Sequence, residues 1–235
     1  MNIRCIWEHN GNDSIIYSDN YIGAFTRGVT RDIALDKMEK EVQSYLRWKK
    51  ENIPELLVTE IIQQKESNLQ ICDADSDVIF NTEKNPLSQE EYYRLKELAL
   101  KSAADFHTLY EAMPDKDTSY LPKRKTFYGD IPRTAQEMYE HTRSVNSYYF
   151  GEIGVEVDHD GTIYECRLRG FDLLEQTPDY LMNPLYQGSN EEEWSLRKVL
   201  RRFIWHDRIH AKAMYRMANK TFGIHCVENI FRFND

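Results

Sequence analysis

WSLRKVLRRFIWHDRIHAKAMYRMANKTFG, residues 194–223, is the stretch that decides the fold of this chain. Leu196, Val199, Phe203, His206, His210, Ala213 and Met217 recur at steps of three and four, the period that lines one face of an α-helix. Ser189 with Glu192 reads as a capping box that opens the helix, and Gly223 as its stop. His206 and His210 stand one turn apart on this apolar stripe, so they can share one ion.

Three more helices precede it. Ser88 with Glu91 forms a capping box, followed by an inward stripe of Tyr92, Leu95, Ala99, Ser102, Phe106 and Leu109 that ends near Pro114. The polar loop LPKRKTFYGD (121–130) leads past Asp130 and Pro132 into TAQEMYEHTRSVNSYYFGEI (134–153), whose stripe Ala135, Met138, His141, Val145 and Tyr148 puts a third imidazole on an inward face. A shorter helical pattern, YECRLRGFDLLEQ (164–176), ends before Pro178. Four helices with long connections read as a bundle.

The first eighty residues read differently. Ile3–Trp7, Ser14–Tyr17 and Tyr21–Phe25 are short apolar or alternating runs broken by Asn, Gly and Asp, the pattern of a small meander. Thr30 then caps one amphipathic helix over RDIALDKMEKEVQSYLRWKK (31–50), and ELLVTEIIQQ after Pro54 returns to the sheet. The acidic stretch CDADSDVIFNTEKNP (72–86) reads as a solvated linker. Its Asp73, Asp75 and Asp77 resemble the start of a calcium loop but lack that motif's glycine and distal Glu. The fold expected is therefore α+β: a small α/β unit over 1–80, then an all-α four-helix bundle over 86–235 with a C-terminal extension.

The formal charge of −9 argues against a general nucleic-acid binder, which needs basic residues to neutralise phosphates. No apolar run long enough for a membrane helix or a secretory leader occurs, and Cys5, Cys72, Cys166 and Cys226 are scattered, so the chain reads as cytoplasmic with reduced thiols. Three neutral imidazoles, His141, His206 and His210, suit Zn, Ni or Fe(II) and leave coordination positions open, as catalytic sites do. Read from spacing alone, the same residues also fit hydrogen-bonded core histidines. His107, just off its stripe, is a candidate extra ligand, and Tyr148 and Glu137 are candidates to line a pocket. His9, His159 and His225 carry no assigned role.

Two family resemblances bear on these readings. IGAFTRGVTRDIALDKMEKEVQSYL (22–46) resembles the strand, glycine turn and helix of HicB-like antitoxins, over roughly the first sixty residues. That resemblance implies a unit that contacts a partner. TAQEMYEHTRSVNSYYF (134–150) paired with RKVLRRFIWHDRIHAKAM (197–214) resembles the DinB superfamily over about residues 86–222, most specifically in RRFIWHDRIH (201–210). It implies a four-helix bundle, often dimeric, that binds a divalent metal through the positions occupied by His141, His206 and His210. Active members of that family resemble thiol-dependent transferases and metal hydrolases acting on small molecules. The expected function is a metal-activated thiol or water attacking an electrophile. The alternative is a binding or regulatory protein with its HicB-like unit carried on a metal-stabilised bundle.

Overall fold

The computed structural model describes residues 1–126 and 129–234. Phe127 and Tyr128, in the expected polar loop, and Asp235, in the expected C-terminal extension, lie outside the described residues. The fold is mixed, combining helices with a four-stranded sheet. The chain divides into two compact units, Met1–Asn85 with the tail from Phe231, and Pro86–Ile230.

In the first unit β1 (Asn2–His9), β2 (Ser14–Ser18), β3 (Phe25–Gly28) and β4 (Val58–Glu66) form a sheet of order β3-β2-β1-β4. The first three strands pair antiparallel as a meander, and β4 adds parallel to β1. The strand expected over Tyr21–Phe25 begins instead at Phe25, because residues 19–24 loop back through Ser18 N donating to Ala24 O. The single helix expected after Thr30 is two, α1 (Arg31–Leu35) and α2 (Met38–Lys49). At the break Lys37 N bonds three residues back to Ala34 O, and Lys37 Nζ reaches Arg27 O at 2.8 Å, which ties the kink to the strand end.

The segment expected as a solvated linker is instead part of this unit's core. Val78 and Phe80 are buried, Phe80 packs on Tyr17 at 5.7 Å, and Ser76 Oγ donates to the buried Glu8 carboxyl. Its acidic composition hides three consecutive apolar residues, Val78, Ile79 and Phe80, and these decide its placement. The C-terminal residues also join this unit rather than extending the helical one. Phe231 stacks on Trp48 at 5.2 Å, and Ser44 Oγ donates to Arg232 O at 2.6 Å.

The second unit packs α3 (Gln89–Glu111), α4 (Ala135–Gly151), α5 (Ile163–Leu174) and α6 (Leu196–Phe222) around one core. α3 lies against α5 and α6, and α4 likewise against α5 and α6. Local sequence explains each start. Ser88, Thr134 and Thr162 each cap a helix whose third residue, Glu91, Glu137 or Glu165, bonds back to the cap. α6 is capped by Ser195, whose side chain accepts from Lys198 N, and not by Ser189. α4 begins at Thr134 rather than around Asp130, so Glu137 serves the cap instead of a pocket. Phe150, Phe171 and Phe203, all fully buried, bring α4, α5 and α6 together with ring centroids 5.1–6.2 Å apart. Among the described residues no helix is long and apolar enough to cross a membrane.

Candidate metal centre

α4 and α6 carry the three histidines singled out by the sequence, and the fold brings all three together. Potential ligand nitrogens of His141, His206 and His210 lie within 4.8 Å of one another. His206 Nε2 and His141 Nε2 are 3.2 Å apart. The ring centroids are 5.0 Å apart for His141–His206, 4.7 Å for His141–His210 and 4.5 Å for His206–His210.

The site sits at the edge of the packed core rather than inside it. His206 is buried, His210 partly so, and His141 is exposed. The buried line of α4 runs through Ala135, Met138, Thr142, Val145 and Tyr149. At roughly 100° per residue, residue 141 falls about 120° from residue 135 and about 80° from the centre of that line. Tyr148 is displaced in the same sense and is 41% exposed, with its ring edge-on to Trp194 at 6.0 Å.

The three imidazoles are held neutral. Burial pushes the His210 pKa down to about 3, with the His141 ring adding to it. His206 is driven well below the ordinary imidazole value by burial first, then by the His210 and His141 rings, and then by the Arg202 and Arg167 charges. Burial lowers His141 as well, although its ring reaches solvent, so the two deeper rings carry the argument. A metal ligand must be unprotonated, and these groups meet that condition at neutral pH.

The donor set fits an ion. Ligand nitrogens about 2.0–2.1 Å from a tetrahedral ion stand roughly 3.3 Å from each other, near the 3.2 Å found for His141 and His206. One N–H···N bond can satisfy that pair, yet it leaves the third ring unexplained, because His210 makes no hydrogen bond among the described residues while its nitrogens share the cluster. Among the described residues His206 Nδ1 is buried without a hydrogen-bond partner.

The remaining sequence candidate, His107, falls elsewhere, and the residues beside the ligands serve other contacts. His107 Nδ1 bonds the Tyr139 hydroxyl at 2.9 Å and is not among the clustered histidines. Glu140 pairs with Arg143 on its own helix. Asp207, adjacent to His206, is fully buried and takes both ends of the fully buried Arg167 guanidinium at 2.6 and 3.0 Å. Neither Arg167 nor Asn146, which accepts from Arg167 Nε at 3.0 Å, was singled out by the sequence reading. The four cysteines are free thiols, with Cys5 and Cys166 buried.

Comparison of the chain with protein-family models, with curated proteins and with solved structures finds no match.

Proposed function

We propose that the chain is a metal-dependent enzyme of the DinB-like class, in which His141, His206 and His210 hold one divalent ion, Zn, Ni or Fe(II). The reaction is attack of a thiol or a water on an electrophilic small molecule, as a transferase or hydrolase. One observation carries this reading: three neutral imidazoles from two helices converge, and the outermost of them, His141, is open to solvent. Three protein ligands leave coordination positions free, which is the arrangement of catalytic rather than closed structural sites. The resemblance of residues 134–150 and 197–214 to the DinB superfamily supports the same assignment, as does the packing of α4, which bears His141, against α6, which bears the pair.

A divalent ion there would supply Lewis-acid chemistry, lowering the pKa of a thiol or water toward neutrality. The chain's own part is to present unprotonated imidazoles and to keep one side of the site accessible through His141. The Arg167–Asp207 pair is fully buried, so it does not meet the substrate directly. In this reading the protein is cytoplasmic, takes a low-molecular-weight thiol or water as nucleophile, and is a candidate homodimer.

A second reading gives the function to the first unit, as a HicB-like partner-binding module, with the triad only stabilising the helices. The separate sheet and core of Met1–Asn85 are the observation behind it. Elemental mass spectrometry on untagged wild type and on His141→Ala tests the ion that both readings place on the triad, and turnover of electrophiles by the loaded protein separates the two. About one Zn, Ni or Fe ion per chain, lost in the variant, establishes the site and leads to a screen of thiols against electrophiles, in which turnover supports the enzyme and none moves the function to the first unit. No metal, even after reconstitution with each ion, makes the 3.2 Å contact a plain hydrogen bond and moves the function to the first unit.

A further inference from the structure

α5 contributes no ligand to the triad, yet it supplies the side chain that joins the helices around it. Arg167 is fully buried, and every polar contact it makes is directional. Its Nη1 and Nη2 grip the two Asp207 oxygens on α6 at 2.6 and 3.0 Å. Its Nε donates to Asn146 Oδ1 on α4 at 3.0 Å, and Nη1 also donates to the Ala99 carbonyl on α3 at 2.8 Å. The guanidinium lies 4.2 Å from the Phe203 ring centroid, so it touches α6 at residues 203 and 207, on either side of His206. Asn146 is itself fixed, since its Nδ2 donates to Arg143 O at 2.8 Å, which leaves Oδ1 to accept from Arg167.

The triad spans the two helices that this one guanidinium joins. Asn146 stands five residues beyond His141 on α4, and Asp207 stands one residue beyond His206 on α6. A planar fork with fixed donor directions resists rotation of either helix about its axis in a way that apolar contact does not.

We propose that Arg167 is a positioning residue for the metal centre: through Asp207 and Asn146 it sets the rotation and register of α6 against α4 that bring the three imidazoles together. The proposal rests on the metal reading above. Bulk stability does not require an ionic clamp, because a buried ion pair replaced by apolar side chains of similar volume is often neutral or stabilising. Loss of the clamp is therefore separable from loss of the fold.

The test uses the untagged full-length chain with Co(II) as the probe, read by its visible d–d absorption and by a competing chelator. The double variant Arg167→Met/Asp207→Leu removes both charges, and Asp207→Asn breaks half of the fork while keeping its shape. Leu109→Ala, a buried core change on α3 ten residues beyond Ala99, controls for general destabilisation. Wild type is expected to bind one Co(II). The double variant is expected to keep its helical circular dichroism and lose roughly 10- to 100-fold in Co(II) affinity, with altered d–d bands, the range found when groups supporting metal ligands are removed. Asp207→Asn loses less in the same direction, and Leu109→Ala lowers the melting temperature without altering the bands. Wild-type affinity and bands in the folded double variant, or in Asp207→Asn should the double variant fail to fold, overturn the proposal. A wild-type chain that takes up no Co(II) overturns the metal reading itself.

Discussion

Replacing His210 by Gln should make the metal-free protein less sensitive to acid. In the folded chain burial holds His210 at a pKa of about 3, while in the unfolded chain it titrates as an ordinary imidazole near roughly 6.5. Between those values the unfolded state binds a proton that the folded state refuses. The stability from a neutral His210 is therefore complete above about pH 6.5 and falls as pH drops, by about 1.4 kcal/mol per unit. From pH 7.5 to pH 5 that amounts to about 2 kcal/mol, an upper bound because His210 is partly open to solvent, which screens its charge. His206 is lowered in the same direction and adds a slope of the same sign.

Glu8 works against them in the same window. Its carboxyl is pushed up to about 7, first by burial and then by the neighbouring Asp77, so it stays protonated in the fold where the unfolded chain has ionised. That contribution is present at low pH and is lost as pH rises through about 7, the opposite sign to the histidines. Glu8 lies in the first unit, and a change at residue 210 leaves it alone, so the difference between wild type and variant reports His210 together with its effect on the neighbouring His206. The assay is urea unfolding with a chelator present, at several pH values from 7.5 to 5, followed by far-UV circular dichroism and by the fluorescence of Trp194 and Trp205 in the second unit. His210→Gln should lose less stability on acidification than wild type, by up to about 2 kcal/mol at pH 5. Parallel pH dependences would refute the assignment of His210 as a buried neutral imidazole.

Two further outcomes follow from packing. Gly170→Ala places a methyl group 2.1 Å from Phe150 Cε2, and the Phe150 ring is fully buried between Phe171 and Phe203. The helix-propensity gain of about 1 kcal/mol is outweighed by about 1–3 kcal/mol or more of overpacking, so urea unfolding should show a net loss that Phe150→Leu partly restores, and a stabilised Gly170→Ala would contradict this. Truncation after Ile230 removes Phe231 and Phe233, 1% and 6% exposed, at about 1.5–3 kcal/mol each. Amide exchange in β1, β2 and α2 should speed up on truncation, and unchanged protection there would show that the tail is not part of the core.

Most elements were legible because their signals are local. Apolar periodicity sets α3, α4, α5 and α6 within a few residues of where the sequence places them, and alternation sets β1, β2 and β4. Errors gathered where a local signal competes with contacts made at long range. The acidic composition of 72–86 reads as linker, but Phe80 finds Tyr17 more than sixty residues away, and Phe231 finds Trp48 across most of the chain. Ser189 and Glu192 have the spacing of a capping box, yet Glu192 accepts from Lys198 at 2.8 Å and Arg202 at 2.9 Å instead of serving a helix end. Nothing in the order of residues announces such pairings.

The site teaches a narrower lesson about polar residues on apolar stripes. The inward reading holds for His206, which is buried, while His210 is partly exposed and His141 lies at the rim of its helix face, where a ligand can reach. The residue at the centre of the buried line of α6 is Asp207, four residues after Phe203 and eight after Val199, and Arg167 holds the matching place on α5 between Ile163 and Phe171. An acid and a base buried on facing stripes cost several kcal/mol each to desolvate unless they meet in good geometry, so their presence in two apolar patterns was a signal for one another. The histidines were visible because their chemistry is known in advance. The clamp is visible only when a charge on a buried stripe is treated as a demand for a partner, and on that reasoning the rim of a helix face offers chemistry while its centre holds the rim in place.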